Sequence, residues 1–377
     1  MKKLATLLIA FTTFSATAGV ITCSNNPNSP GQYTDLQLAI DNANANDTIL
    51  IQGSSTAYNT DITIQIPLTL MGAGFNNPNG GNTTLGRITL GRANPSVGAS
   101  GTTITGIQFS CLILQPSFTG GNATNQIISD ITLDRCRLYG GALAGTTYQG
   151  IRFQNYTDCA YNNFNIKNCY IIGKVFTFDN YPFFTFTLSN FTFNNCYFTG
   201  ASEFIIPAIA DLSPLAFVNC FFHDNMAFVY YQGSSGDVVF GHKYENCIFY
   251  NAKTEGCVNC VYDNNLTYGC TNDALIDPVN PGSSGGGNVV GQDPLFVNYP
   301  IGGGAFSYAH DYNLQVGSPA IGTGTAGTDV GIHGGVSPMQ IGLNPSIPQM
   351  QTITTPLGTT VSQGTNLNVT FKTYKQD

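Results

Sequence analysis

Arginine is scarce in this 377-residue chain, and three of its five copies, Arg135, Arg137 and Arg152, fall between Asp130 and Lys174. Asp134, Asp158 and Lys167 share the same stretch. A cation set among carboxylates can accept a proton, or it can clamp a substrate carboxylate through paired N–H groups. On that chemistry Arg137 or Lys167 is the candidate base or clamp, with Asp130 or Asp158 assisting. The same residue types also make plain surface ion pairs, which contribute little.

Rings supply a second kind of candidate. Tyr170, Tyr197 and Phe221 are joined downstream by His223-Asp224. Aromatic faces in a row can carry sugar rings. His beside Asp can do acid–base work, although neighbours in sequence point to opposite sides of a strand. Tyr170, Tyr197, Phe221 and His223 are therefore the candidate substrate-binding residues.

A repeated frame decides which of these side chains can meet. It reads Asp134-Arg-Cys136-Arg-Leu, Lys167-Asn-Cys169-Tyr-Ile, Asn194-Asn-Cys196-Tyr-Phe, Val218-Asn-Cys220-Phe-Phe and Glu245-Asn-Cys247-Ile-Phe, at intervals of 33, 27, 24 and 27 residues. Such a period marks a solenoid. Three residues before each cysteine stand Leu133, Ile166, Phe193, Phe217 and Tyr244; five before stand Ile131, Phe164, Phe191, Leu215 and His242; two after stand Leu138, Ile171, Phe198, Phe222 and Phe249. Each pair of apolar positions keeps strand alternation, but the step from minus three to the cysteine is odd. A one-residue break between two inward runs requires a bend, and four of the five frames place there an Asn, which tolerates left-handed backbone.

With rungs about 4.8 Å apart, cysteines, asparagines and aromatics each form a ladder. Asp134 then falls beside Lys167. Arg137, Tyr170, Tyr197, Phe221 and Ile248 line up on an outward column, which could form an aromatic platform with Arg137 at one end if the column is open to solvent. Cross-strand stacking for sheet stability alone produces the same column. His242 reads as a partly buried packing residue, and Thr-x-Thr arrays of the kind that bind ice are not seen as a repeating column.

These frames resemble the short repeats of secreted right-handed parallel β-helix proteins in the pectate-lyase-like superfamily, over most of the chain. Ile66-Pro-Leu-Thr-Leu-Met-Gly-Ala-Gly74 resembles their early coils; Asp293-Pro-Leu-Phe296, Asp311 to Ile321 and Asp329-Val-Gly331 resemble the closing signature of many bacterial members, where they are turn and cap elements. The resemblance implies a groove on one outer face. In the lyases an Arg or Lys is the base, often with carboxylate-bound Ca²⁺, so Ca²⁺ is the implied cofactor of a lyase form; the hydrolases use clustered Asp. This chain departs from both, lacking an Arg-x-x-Lys, a paired Asp-Asp and a Gly-His-Gly beside an acidic pair.

Lys2, Lys3, the apolar run Leu4 to Phe14 and Ala16-Thr-Ala18 read as an export signal over residues 1–18. The run is too short to span a bilayer, so a secreted bacterial protein, extracellular, at the cell surface or in the periplasm, is expected without membrane insertion. Net charge is −8 with 13 basic residues dispersed, which argues against nucleic acid as a partner. Eleven cysteines would ordinarily mean disulfides in an exported chain. The five in the frame instead read as buried thiols, because parallel neighbours sit farther apart than the roughly 3.8 Å Cβ separation of a disulfide. Cys111 is a candidate for the start of that ladder. Cys257-Val-Asn-Cys260 with Cys270 lacks a fourth zinc ligand and suits a loop-stapling disulfide better; no metal ligands are assigned.

The fold expected is an all-β right-handed parallel β-helix over residues 19–343. An N-terminal helix within Asp35 to Ala43 caps it, and a short β-rich tail spans 344–377. The function expected is binding or lyase-type cleavage of an acidic extracellular polysaccharide, with a non-catalytic structural or adhesive solenoid as the alternative.

Overall fold

The structure, a computed structural model, describes residues 18–339 apart from 28, 60, 77–80, 95, 117–125, 140–149, 155–158, 179–185, 200–202, 208–210, 213, 224–226, 233–238, 255–256, 277–278, 301–306 and 308, together with 349–354 and 370–374. The export signal and the 343/344 boundary lie outside the described residues.

Short β-branched and aromatic runs separated by single bends build three parallel sheets and almost no helix. The first sheet runs from Val20–Cys23 to Val261–Asp263, the second from Asp61–Ile64 to Ala227–Gln232, and the third from Gln108–Phe109 to Leu266–Tyr268. The chain visits them in turn: Tyr170–Ile172 lies in the third sheet, Phe176–Phe178 in the second, Phe186–Asn194 in the first and Tyr197–Thr199 again in the third. Each strand pairs in parallel with the one reached a circuit later. The helix Leu36–Asp41 buries Leu36, Ala39 and Ile40 and is capped by the Asp35 carboxylate, which accepts from the Leu38 N–H at 2.9 Å. No helix among the described residues is long and apolar enough to cross a membrane. The tail strands Gln349–Thr354 and Thr370–Tyr374 pair antiparallel.

The bend falls where the parity breaks. Arg135, Asn168, Asn195, Asn219 and Asn246 have φ of 52°, 53°, 50°, 52° and 55°. Behind them Cys136, Cys169, Cys196, Cys220 and Cys247 are buried free thiols. Each donates to the carbonyl two residues earlier, as Cys169 does to Lys167 at 3.2 Å, and burial pushes the Cys169 and Cys220 thiols above their ordinary pKa. Rings stack at the spacing of the strands: Phe164 on Phe191 at 4.4 Å, Phe193 on Phe217 at 5.0 Å and Phe222 on Phe249 at 4.8 Å between centroids.

Several expectations change. Cys111 belongs to the second sheet, paired with Arg87 and Gly150, while Ile107 precedes Cys136 in the thiol column because Gln108 pairs with Arg137. His242 is wholly buried, not partly so. Cys257 and Cys260 form a disulfide, but on a strand end and not in a loop. A threonine column does exist on the outward side of the first sheet, through Thr48, Thr69, Thr103 and Thr132 to Asn165 and Thr192, although only Thr103-Ile-Thr105 is a Thr-x-Thr.

The closing segment, read from sequence as turn and cap elements, lies across the outward side of the third sheet. Phe296, Tyr312, Ala320, Val330, Ile332 and Met339 pack there into a second apolar cluster. The bend asparagines hold it. Asn264 Nδ2 donates to Thr325 Oγ1 at 3.2 Å, Asn246 Oδ1 accepts from the Thr325 N–H at 2.8 Å, Asn219 Nδ2 donates to the Asp329 and Gly331 carbonyls at 3.1 and 3.2 Å, and Asn195 Nδ2 donates to Ile332 and Gly334, both at 2.9 Å. The segment therefore runs back along the ladder. Gly331 has φ +93°, and a Cβ there would lie 2.6 Å from Ile248 Cδ1, which explains the glycine.

Candidate functional site

The outward column of the third sheet is where the candidate residues converge. Thr84, Gln108, Arg137, Tyr170, Tyr197, Phe221, Ile248 and Leu266 follow one another in register. Its chemistry changes at Arg137: polar before it, aromatic and aliphatic after it. The change coincides with the closing segment, which buries the apolar half.

The aromatic part of this column is thereby covered, as ring stacking within the sheet allows, and it is not an open platform. Tyr170, Tyr197 and Phe221 are 3%, 0% and 0% exposed. Strand alternation places them on the outward side; what lies over that side depends on residues 75 to 115 positions away. Phe221 meets Phe296 at 5.2 Å and Tyr312 at 5.6 Å, and Tyr197 meets Tyr312 at 5.4 Å. His223 is buried as well and faces Tyr250 across the strand pair.

Arg137 stays half-exposed at the head of the column. Its Nη1 donates to Gln108 Oε1 at 3.0 Å, and its guanidinium carbon lies 5.9 Å from the Tyr139 ring centre and 5.6 Å from that of Tyr170. Tyr139, half-exposed, donates its hydroxyl to the Leu85 carbonyl at 3.3 Å. Tyr139 escaped the sequence reading; its signal is its place two residues beyond Arg137, on the same side of a strand.

The other candidates lie elsewhere. Lys167 and Asp134 are in register, as the frame requires, with Lys167 Nζ 4.0 Å from Asp134 Oδ2. Arg135 Nε lies 3.7 Å from the same oxygen, and Asn168 donates to Oδ1 at 3.1 Å, so this carboxylate serves the bend. Asp130 sits in a second left-handed bend with Asn163 and Asn190, at φ 59°, 59° and 55°. Ser129 and Asn163 donate to its carboxylate at 2.7 and 3.0 Å and hold it below the usual carboxylate range. Asp130, Asp134 and Lys167 belong to the first sheet and Arg137 to the third, with the bend and the thiol ladder between them. Asp158 lies outside the described residues.

Among the described residues no three His, Cys, Asp or Glu side chains converge as a metal site. Among the described candidate carboxylates, Asp130 and Asp134 do not fit the Ca²⁺ that a lyase form implies, since each is committed to a bend. No protein-family model matches this chain, and no curated protein matches it either.

The half-exposed surface around Arg137 thus combines a guanidinium, an amide, a hydroxyl at Thr84 and a phenol ring. Groups of these kinds can pair with an anion, with hydroxyl groups and with an apolar ring face.

Proposed function

We propose that this chain is a secreted right-handed parallel β-helix of the pectate-lyase-like kind, its N-terminal helix covering the first circuit, and that it binds an acidic extracellular polysaccharide. The observation that carries the reading is Arg137, half-exposed against Tyr139 and Tyr170 where the polar and apolar halves of one column meet. A uronate places a carboxylate and a sugar face within one residue of polymer, the pairing that a guanidinium beside a ring accommodates.

Binding is favoured over cleavage. β-Elimination needs a base and a group that neutralises the uronate carboxylate at one sugar, and Asp130, Asp134 and Lys167 stand on a different sheet from Arg137.

The test is titration of purified residues 19–377 with polygalacturonate, alginate and chondroitin sulfate, followed by calorimetry and by absorbance near 235 nm. Binding of at least one uronate polymer without new absorbance is the expected result. Rising absorbance would replace the binding reading with a lyase, and absence of both would leave a purely structural solenoid.

A further inference from the structure

Three hydrogen-bond donors on consecutive rungs make up the polar half of the outward column. Arg137 is in register with Gln108, and Gln108 with Thr84. Arg137 Nη1 donates to Gln108 Oε1 at 3.0 Å, which fixes the orientation of that amide, since its nitrogen in the same place would set donor against donor. Gln108 Nε2 is left with two hydrogens to donate. Among the described residues neither Nε2 nor the Thr84 hydroxyl meets a protein partner, and both side chains are half-exposed.

Tyr139 runs beside this row. Its backbone N–H donates to the Phe109 carbonyl, while its hydroxyl reaches the carbonyl of Leu85, the neighbour of Thr84, so the side chain crosses the Gln108–Phe109 strand along the solenoid axis. The hydroxyl hydrogen is spent on Leu85. What remains for a ligand is the ring, whose centre lies 5.9 Å from the Arg137 guanidinium carbon.

The other end of the row is closed. Tyr170, next on the column after Arg137, is buried, and Tyr197 and Phe221 beyond it lie under Tyr312 and Phe296. A chain laid on the column can follow it from Arg137 only towards Thr84. Rungs stand about 4.8 Å apart, so that path covers about 10 Å. A 1,4-linked pyranose advances by close to one rung, which sets three successive sugars against three successive donors.

We propose that Arg137, Gln108 and Thr84 form a three-sugar site for a 1,4-linked uronate chain lying along the axis. Arg137 pairs with the carboxylate of the first sugar, and the neutral donors Gln108 Nε2 and Thr84 Oγ1 meet oxygens of the second and third. Gln108 has two tasks: its oxygen orients the guanidinium, and its nitrogen reads the second sugar. Resting on the acidic-polysaccharide reading above, this makes chain length, as well as charge, a condition of tight binding.

Calorimetric titration of the protein with galacturonate and its 1,4-linked dimer, trimer and tetramer tests the site. Each sugar that adds a hydrogen bond is expected to tighten binding about fivefold as far as the trimer, with the tetramer within about twofold of the trimer. Thr84→Val should remove the gain from dimer to trimer. Gln108→Leu should weaken binding at every length and remove the gain from monomer to dimer. Should Gln108→Leu not fold, Gln108→Glu replaces it, since it keeps an acceptor for Arg137 and lacks the donor; a monomer-to-dimer gain that persists in either variant overturns the proposal. So does a monomer that binds as tightly as the trimer, or a tetramer that gains a further fivefold, and each of these outcomes leaves the polysaccharide reading standing. Failure of all four lengths and of polygalacturonate overturns that reading and the three-sugar site with it.

Discussion

The side-chain amide of Asn219 donates at 3.2 Å to the carbonyl of Gly331, 112 residues later in the chain. One residue thus serves the bend through its backbone and the closing segment through its side chain. Asn219→Ala removes two amide hydrogen bonds and forces an alanine into φ 52°, for an expected loss of about 3 kcal/mol. Asn219→Gly keeps the bend and should lose about 2 kcal/mol. Urea unfolding separates the two values, and binding of an apolar dye should rise in both variants.

The thiol ladder predicts a reactivity pattern. Of eleven cysteines, two form the Cys257–Cys260 bridge, which leaves nine thiols, and all of these but Cys270 are buried. Ellman's reagent should count nine in guanidinium and react slowly with all except Cys270 in native buffer. Within the ladder, Cys196→Ser should destabilise more than Cys196→Ala, because a short hydroxyl cannot reach the carbonyls of Ile166 and Asn194 that the sulfur meets at 3.4 Å.

Arg137 should dominate anionic binding. Arg137→Ala is expected to weaken polygalacturonate binding at least tenfold, and Arg137→Lys to restore only part of it, since an ammonium lacks the planar paired donors. Lys167→Ala should leave binding unchanged in the same calorimetric assay, because Lys167 lies beyond the bend with Asp134.

His242 gives the protein an acid limit. It is enclosed in the core, its Nδ1 accepts from the Leu215 N–H at 3.0 Å, and burial lowers its pKa to about 3. A histidine depressed in the folded state contributes stability above its unfolded pKa of about 6.5, and the contribution is lost as pH falls from there towards 3. The ceiling on that loss is roughly 5 kcal/mol at about 1.4 kcal/mol per unit. His242→Gln, which keeps an acceptor for Leu215, should flatten the fall of the urea midpoint between pH 6 and pH 4.

The parallel sheets and their register were legible because a parity break and a small residue recur at each circuit. Asp134 beside Lys167 and Tyr170 beside Tyr197 follow from the cysteine frame alone. The cover over Tyr197 and Phe221 was not legible. Alternation tells which side of a strand a residue takes, and both a solvated and a covered side obey it. The available signal was chemical: Thr84, Gln108 and Arg137 are polar on this column, whereas Tyr170, Tyr197, Phe221, Ile248 and Leu266 are not. The Asp130, Asn163 and Asn190 bend went unseen for a similar reason, since no cysteine marks it and Asp130 reads equally well as a candidate acid.

The reverse path of the closing segment has a consequence for the order of synthesis. The rungs of Asn195, Asn219 and Asn246 leave the ribosome long before Asp329, Gly331 and Gly334 exist to cover them. Until Phe296 and Tyr312 follow, Tyr197 and Phe221 form a bare apolar strip open to neighbouring chains, and Ile248 extends it until Gly331 arrives. A truncated chain ending before residue 296 should therefore self-associate, and one that includes Phe296, Tyr312 and Gly331 should not.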